Sequence, residues 1–208
     1  MIIHLIRHAE TEWHAEDRYA GHTEIALTQK GFDQSSQLAM WASKKNISSV
    51  YTSGLSRAIE TARPSLIQLK TESLVDTDLN EVNFGLVEGL NKQAFKQSYP
   101  IVWQNFQTRP ASTIFPSGES GEIALERAKN SILRIAKKWV DGEIMIISHG
   151  TLIRLLLTNF LGKDINSYRT LFPVIDNVGI SSFIINISED LGQPKFDFQL
   201  LCYNCSIS

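Results

Sequence analysis

"GEIMIISHGTLIRLLLTNFLG", residues 142–162, decides the fold. Ile144, Met145, Ile146 and Ile147 run without polar alternation, the pattern of a strand buried on both faces. Directly after Ser148, His149 and Gly150 the pattern becomes that of an apolar helix, and Gly162 supplies its stop. The chain opens in the same way: "MIIHLI" (1–6) reads as a second buried strand and ends on "RHAE" (7–10). Ligands of open α/β sheets sit beyond the carboxyl ends of the strands, so "SHG" and "RHAE" fall at that lip.

Working outward, "LTQKGFDQSSQLAMWASKK" (27–45) has near-helical apolar spacing, with Thr28 placed to cap its first turn. "SSVYTS" (48–53) is a short strand. "LSRAIETARPSLIQL" (55–69) is a helix expected to break or restart near Pro64. "GESGEIALERAKNSILRIAKKWV" (118–140) is a long amphipathic helix with acids early and bases late. "GISSFIINI" (179–187) and "FDFQLLCY" (196–203) read as strands separated by the turn-rich "SEDLGQP" (188–194). Strands alternating with helices predict a three-layer α/β fold, a mostly parallel central sheet with helices on both faces. With no repeat or linker, residues 1–208 are expected to form a single domain.

The 208 residues are 43% hydrophobic and 20% charged, with a net charge of −2, ordinary values for a soluble globular chain. No global basic field favours nucleic acid, so any anionic substrate needs positive charge concentrated locally. The first apolar run stops at Arg7, too early for a secretory segment, and Leu152–Leu161 is about half a membrane span. These readings predict a cytoplasmic protein with no membrane or nucleic-acid partner. Cys202 and Cys205, in "CYNC", lack both a following helix and a second ligand pair, so they are read as incidental.

Arg7, His8, Arg57, Glu81 and His149 each have a mundane reading alone. Together they supply what phosphoryl transfer through histidine requires: a neutral imidazole nucleophile, guanidinium forks for phosphate oxygens, and a carboxyl group for the leaving oxygen. The sequence has neither a glycine-rich phosphate loop nor an acidic cluster suited to magnesium. The expected cofactor set is therefore none, with no metal ligands.

"LIRHAETEW" (5–13) resembles the signature of the histidine phosphatase superfamily, the phosphoglycerate mutase-like enzymes, in which Arg-His-Gly-Glu-Thr follows the first strand. "YAGHTEIALTQKG" (19–31), "YTSGLSRAIETA" (51–62), "LNEVNFGLVEG" (79–89), "FPSGES" (115–120) and "IMIISHGTLIR" (144–154) follow in family order. The resemblance implies His8 as the phosphorylated nucleophile, Glu81 as proton donor and acceptor, and Arg7, Arg57 and His149 as the phosphate pocket. It also assigns His14, Gly21 and Gly150 to substrate binding, and leaves Glu10 to organise its loop and Glu88 to support its own turn.

Three departures stand out. Ala9 replaces the usual glycine, where a methyl narrows the backbone's approach to phosphate. His14 replaces a phosphate-binding asparagine, and a nearby dianion would raise its pKa and favour binding at mildly acidic pH. Glu24 and Ala26 replace Asp and Pro, a change expected to touch loop stiffness more than chemistry. The segment 96–116 has Arg109 as its only base after Lys96, which leaves carboxylate recognition under-supplied and favours hydrolysis of a small phosphorylated metabolite over mutase chemistry. A scaffold that only holds phospho-ligands, and a metal-dependent hydrolase using the histidines, are weaker alternatives. Asn204 is followed four residues later by Ser208 rather than the His of related phosphatases, so serine phosphate is not assigned.

Overall fold

The computed structural model describes residues 1–139, 141–190 and 193–207. The chain runs β1 (Ile2–Arg7), α1 (Gln29–Ala42), β2 (Ile47–Thr52), α2 (Ser56–Leu69), β3 (Ser73–Val75), α3 (Lys92–Ser98) and α4 (Pro100–Thr108). It continues through α5 (Gly121–Lys138), β4 (Glu143–Ser148), α6 (Gly150–Phe160), α7 (Tyr168–Leu171), β5 (Ile180–Asp190) and β6 (Gln193–Cys205). The six strands form one mixed sheet in the order β3-β2-β4-β1-β5-β6. The first four are parallel, while β5 and β6 add antiparallel strands at one edge.

The unbroken apolar runs of β1 and β4 arise because both sheet faces are covered. Ile3, Leu5, Ile144 and Ile146 join a core with Ala128 and Ile132 of α5 and with Leu152 and Leu156 of α6. Ile6, Met145 and Ile147 join the opposite core with Leu38 of α1 and with Ala58 and Ala62 of α2. Thr28 caps α1, its side chain accepting from the Gly31 backbone N–H at 3.0 Å. Gly31 lies so close to the Glu10 carbonyl that a Cβ would collide with it.

Two local expectations are corrected. α2 runs unbroken through Pro64, because Ala58, Ala62 and Ser65 bury its inner face and tertiary packing outweighs one missing helical hydrogen bond. The stretch 188–194 is mostly strand: Ser188↔Lys195, Glu189↔Pro194 and Asp190↔Gln193 continue the β5–β6 ladder, while 191–192 lie outside the described residues. Sequence periodicity marks neither the three-residue β3 nor the helices α3, α4 and α7. Val140, the last residue of the expected long helix, and Ser208 also lie outside the described residues.

Candidate active site

β1 and β4 end in register, Arg7 opposite Ser148, so His8 and His149 emerge side by side with ring centroids 5.2 Å apart. His8 is buried, and its Nδ1 lies 2.7 Å from the Ala9 carbonyl. A carbonyl only accepts, so Nδ1 carries the proton and Nε2 keeps its lone pair. Burial, followed by Arg57 and Arg7, holds the His8 pKa well below 6.5, which keeps this imidazole neutral.

Arg57 is fully buried under the loop that carries Gly21. Its Nη2 donates to the Gly21 carbonyl at 2.6 Å and its Nη1 to the Thr23 carbonyl at 3.0 Å. Glu88 fixes that loop by accepting from the His22 and Thr23 N–H groups at 2.8 and 2.7 Å, and also accepts from Phe84 in its own turn. Its role thus reaches beyond the turn expected for it. Glu24 accepts from the Ser56 N–H at 2.9 Å at the start of α2, one residue before Arg57.

Ser53 Oγ accepts from the Leu55 N–H at 3.3 Å and sits 2.7 Å from His149 Nε2. Burial again depresses the His149 pKa well below 6.5, so this imidazole is neutral. Among the described residues, the buried side-chain atoms without a hydrogen-bond partner include Arg7 Nε, Arg57 Nε and His149 Nδ1. Buried polar groups normally find partners, so these three nitrogens are available to a bound group.

The Glu81 carboxylate accepts from the Val82, Thr151 and Leu152 N–H groups at 2.9, 2.9 and 3.0 Å, tying it to the first turn of α6. Its own carbonyl accepts from Arg127 Nη2 at 2.9 Å and from His22 Nε2 at 2.9 Å. Arg127, paired with Glu119, also holds the Asp78 and Asn80 carbonyls, so it braces the whole acid-bearing loop. Nothing in the spacing of α5 distinguishes this arginine from a solvated helix charge.

A cavity of about 370 Å³ opens over these groups, lined by Arg7, His8, His14, Glu81 and Gly150 among others. Arg57, His149 and Gly21 are not among its lining residues. Gly21 bears on the pocket by gripping Arg57, and a Cβ there would run into Glu88 and the Val82 carbonyl. Gly150 presses on Arg7, where a Cβ would meet Nε at 3.3 Å. The Ala9 methyl lies in the α1–α2 core and does not narrow the approach. Glu10 organises its loop through Thr28 at 2.9 Å and Lys30 at 2.7 Å.

His14 Nε2 lies 2.6 Å from Arg7 Nη2 and 3.2 Å from Asn177 Nδ2. A guanidinium cannot accept, so Nε2 accepts from Arg7, while Nδ1 faces Thr11, 2.8 Å from its Oγ1 and 3.0 Å from its backbone nitrogen. Burial and Arg7 lower the pKa to about 4. His4, within β1, bonds Ser182 at 2.7 Å and Glu143 at 2.8 Å and packs edge-on against Trp41. Among the described residues, no group of three His, Cys, Asp or Glu side chains could hold a metal ion. No described helix is long and apolar enough to cross a membrane. Cys202 and Cys205 are free thiols.

This sheet, with two histidines and two arginines at its carboxyl lip, defines a histidine phosphatase fold. Residues 3–192 match the histidine phosphatase superfamily (branch 1), and the chain belongs to that superfamily of enzymes. It is 34% identical to phosphoglycerate mutase-like protein 4 of Arabidopsis thaliana over 73% of this chain and 67% of that protein. It is 26% identical to phosphoserine phosphatase 1 of Hydrogenobacter thermophilus, over 79% of this chain and 78% of that protein. The alpha-ribazole phosphatase structure from Shigella flexneri superposes with a TM-score of 0.85 at 25% identity, covering 99% of this chain and 96% of the other.

Proposed function

We propose that the enzyme hydrolyses small phosphomonoesters through a phosphohistidine on His8, without a divalent metal. The observation that carries this reading is the unprotonated Nε2 of His8, with two unpaired arginine donors, Arg7 Nε and Arg57 Nε, and the unpartnered His149 Nδ1 in the same site. His8 Nε2 attacks phosphorus as the ester P–O bond breaks, and the leaving oxygen takes a proton from Glu81. Glu81 then removes a proton from water, whose oxygen forms a bond to phosphorus as the P–N bond to His8 breaks. Arg7, Arg57 and His149 hold the phosphoryl oxygens, and the two arginines supply the positive charge that other phosphoryl-transfer enzymes take from metals. The name of the Hydrogenobacter relative supports the phosphatase reading.

Rapid quench with a radiolabelled ester should yield an acid-labile, base-stable label, lost together with activity in His8→Ala. A label that maps elsewhere would overturn the assignment. Mutase chemistry is the second reading, favoured by the names of several relatives and by arginines at the cavity mouth that the sequence segment 96–116 did not supply. Release of inorganic phosphate, rather than an isomerised ester, separates the two.

A further inference from the structure

Beyond the catalytic pocket lies a second cavity of about 440 Å³, and the two share Asp17, Arg18, Tyr19, Arg154, Arg169 and Pro173. The second is also lined by Lys92, so it gathers four cations against one acid, Asp17, in a chain whose net charge is −2. Arg18 is partly neutralised by its ion pair with Glu16. Arg154 and Arg169 differ: among the described residues neither has a carboxylate within ion-pair distance.

Both guanidinium groups are nevertheless held in place. Arg154 Nε donates to the Gly150 carbonyl at 3.0 Å, and its guanidinium lies 5.1 Å from the Tyr168 ring centroid. Arg169 lies 3.7 Å from the Phe106 centroid and 5.7 Å from that of Tyr168, and donates to the Phe106 carbonyl at 3.2 Å. Aromatic faces and carbonyls thus fix two planar forks without satisfying them, leaving both Nη groups of Arg154 and Nη2 of Arg169 without a hydrogen bond among the described residues. A fixed guanidinium fork matches a carboxylate or a phosphate.

We propose that Arg154 and Arg169, with Arg18 and Lys92 at the outer edge, form a second anion subsite, and that the enzyme selects phosphomonoesters whose leaving group carries its own carboxylate or phosphate. The proposal rests on His8 marking the position of the transferred phosphoryl group. Gly150 touches Arg7, and Arg154 follows four residues along α6, a rise of about 6 Å. Arg154 and Arg169 line the same cavity as His8, so the second anion of a small ester shares that cavity with the phosphoryl group.

Three esters with the same primary leaving oxygen test this: 3-hydroxypropyl phosphate, 3-(phosphonooxy)propanoate and 1,3-propanediol bisphosphate. Wild-type kcat/KM, followed as phosphate release, should favour at least one charged-tail ester over the hydroxyl ester by about tenfold, and the favoured tail identifies the group recognised. Arg154→Gln and Arg169→Gln should each shrink that preference by raising KM for the charged-tail ester, while the Lys variants retain part of it. Binding of the three esters to His8→Ala, measured by calorimetry, reads the same preference without turnover. Equal affinity for all three, and equal kcat/KM, overturns the subsite and leaves the hydrolysis standing. A binding preference with no phosphate released from any ester overturns the hydrolysis and supports the subsite.

Discussion

His14 shows how neighbours set the chemistry of a side chain. Next to Arg7 and buried, it titrates near 4 instead of near 6.5. It therefore stays neutral above about pH 5 and serves as an acceptor that orients the Arg7 guanidinium. The expected outcome is that KM–pH profiles of wild type and His14→Asn run parallel between pH 5.5 and 8, separating only on further acidification. Divergence through pH 6.5 would restore the protonated-His14 reading. Glu81 yields a second prediction at this scale. If it protonates the leaving oxygen, Glu81→Gln should slow alkyl phosphate hydrolysis by about 100-fold or more, and p-nitrophenyl phosphate far less, because that leaving group hardly needs a proton. Leaving-group dependence of kcat is the measurement. Arg7, His8 and His149 stand out in the sequence because they follow strands whose apolar runs stop abruptly at Ile6 and Ile147, whereas Arg57 and Glu81 stand out only through the motif resemblance. Arg127, Arg154 and Arg169 were not legible, since a charge on an amphipathic helix reads the same whether solvent, a carbonyl or an empty cavity faces it.

At the scale of elements, burial on one helix face decides more than a single breaker does. Pro64 reads as an interruption from local chemistry, yet α2 passes through it with its buried face intact. Pro64→Ala should restore a donor to the Glu60 carbonyl and stabilise the protein by about 1–2 kcal/mol, the gain reduced by the looser unfolded chain. A shift in denaturation midpoint reads it, and an unchanged midpoint would mean the helix has absorbed the proline without strain. Gly31 carries the opposite expectation. A methyl there strikes the Glu10 carbonyl, so Gly31→Ala should destabilise by about 1–3 kcal/mol and displace the loop following His8. Thr28 was readable because a capping threonine before a helical pattern has one obvious use. β3 was not, because its three residues are too few to show alternation, and it owes its strand conformation to pairing with β2.

For the whole molecule, the depressed histidines make stability a function of pH. His8, His14 and His149 have folded pKa values below 6.5, so beneath that pH the unfolded chain binds more protons than the native one. Stability is fully present above 6.5 and is lost as pH falls, by about 1.4 kcal/mol per pH unit for each histidine until its folded pKa is reached. Denaturation midpoints should be level from pH 8 to 7 and drop steeply from 6.5 to 5, and a flat profile to pH 5 would show these rings to be solvated. The strand order has a consequence in time. β1, synthesised first, lies between β4 and β5, both from the last third of the chain. A nascent chain displaying His8 has no partner strand for it until β4 has left the ribosome, so His8 is translated early and enclosed late. Such long-range closure slows folding, and pulse-labelled exchange should find β1 amides unprotected until those of β4 are protected.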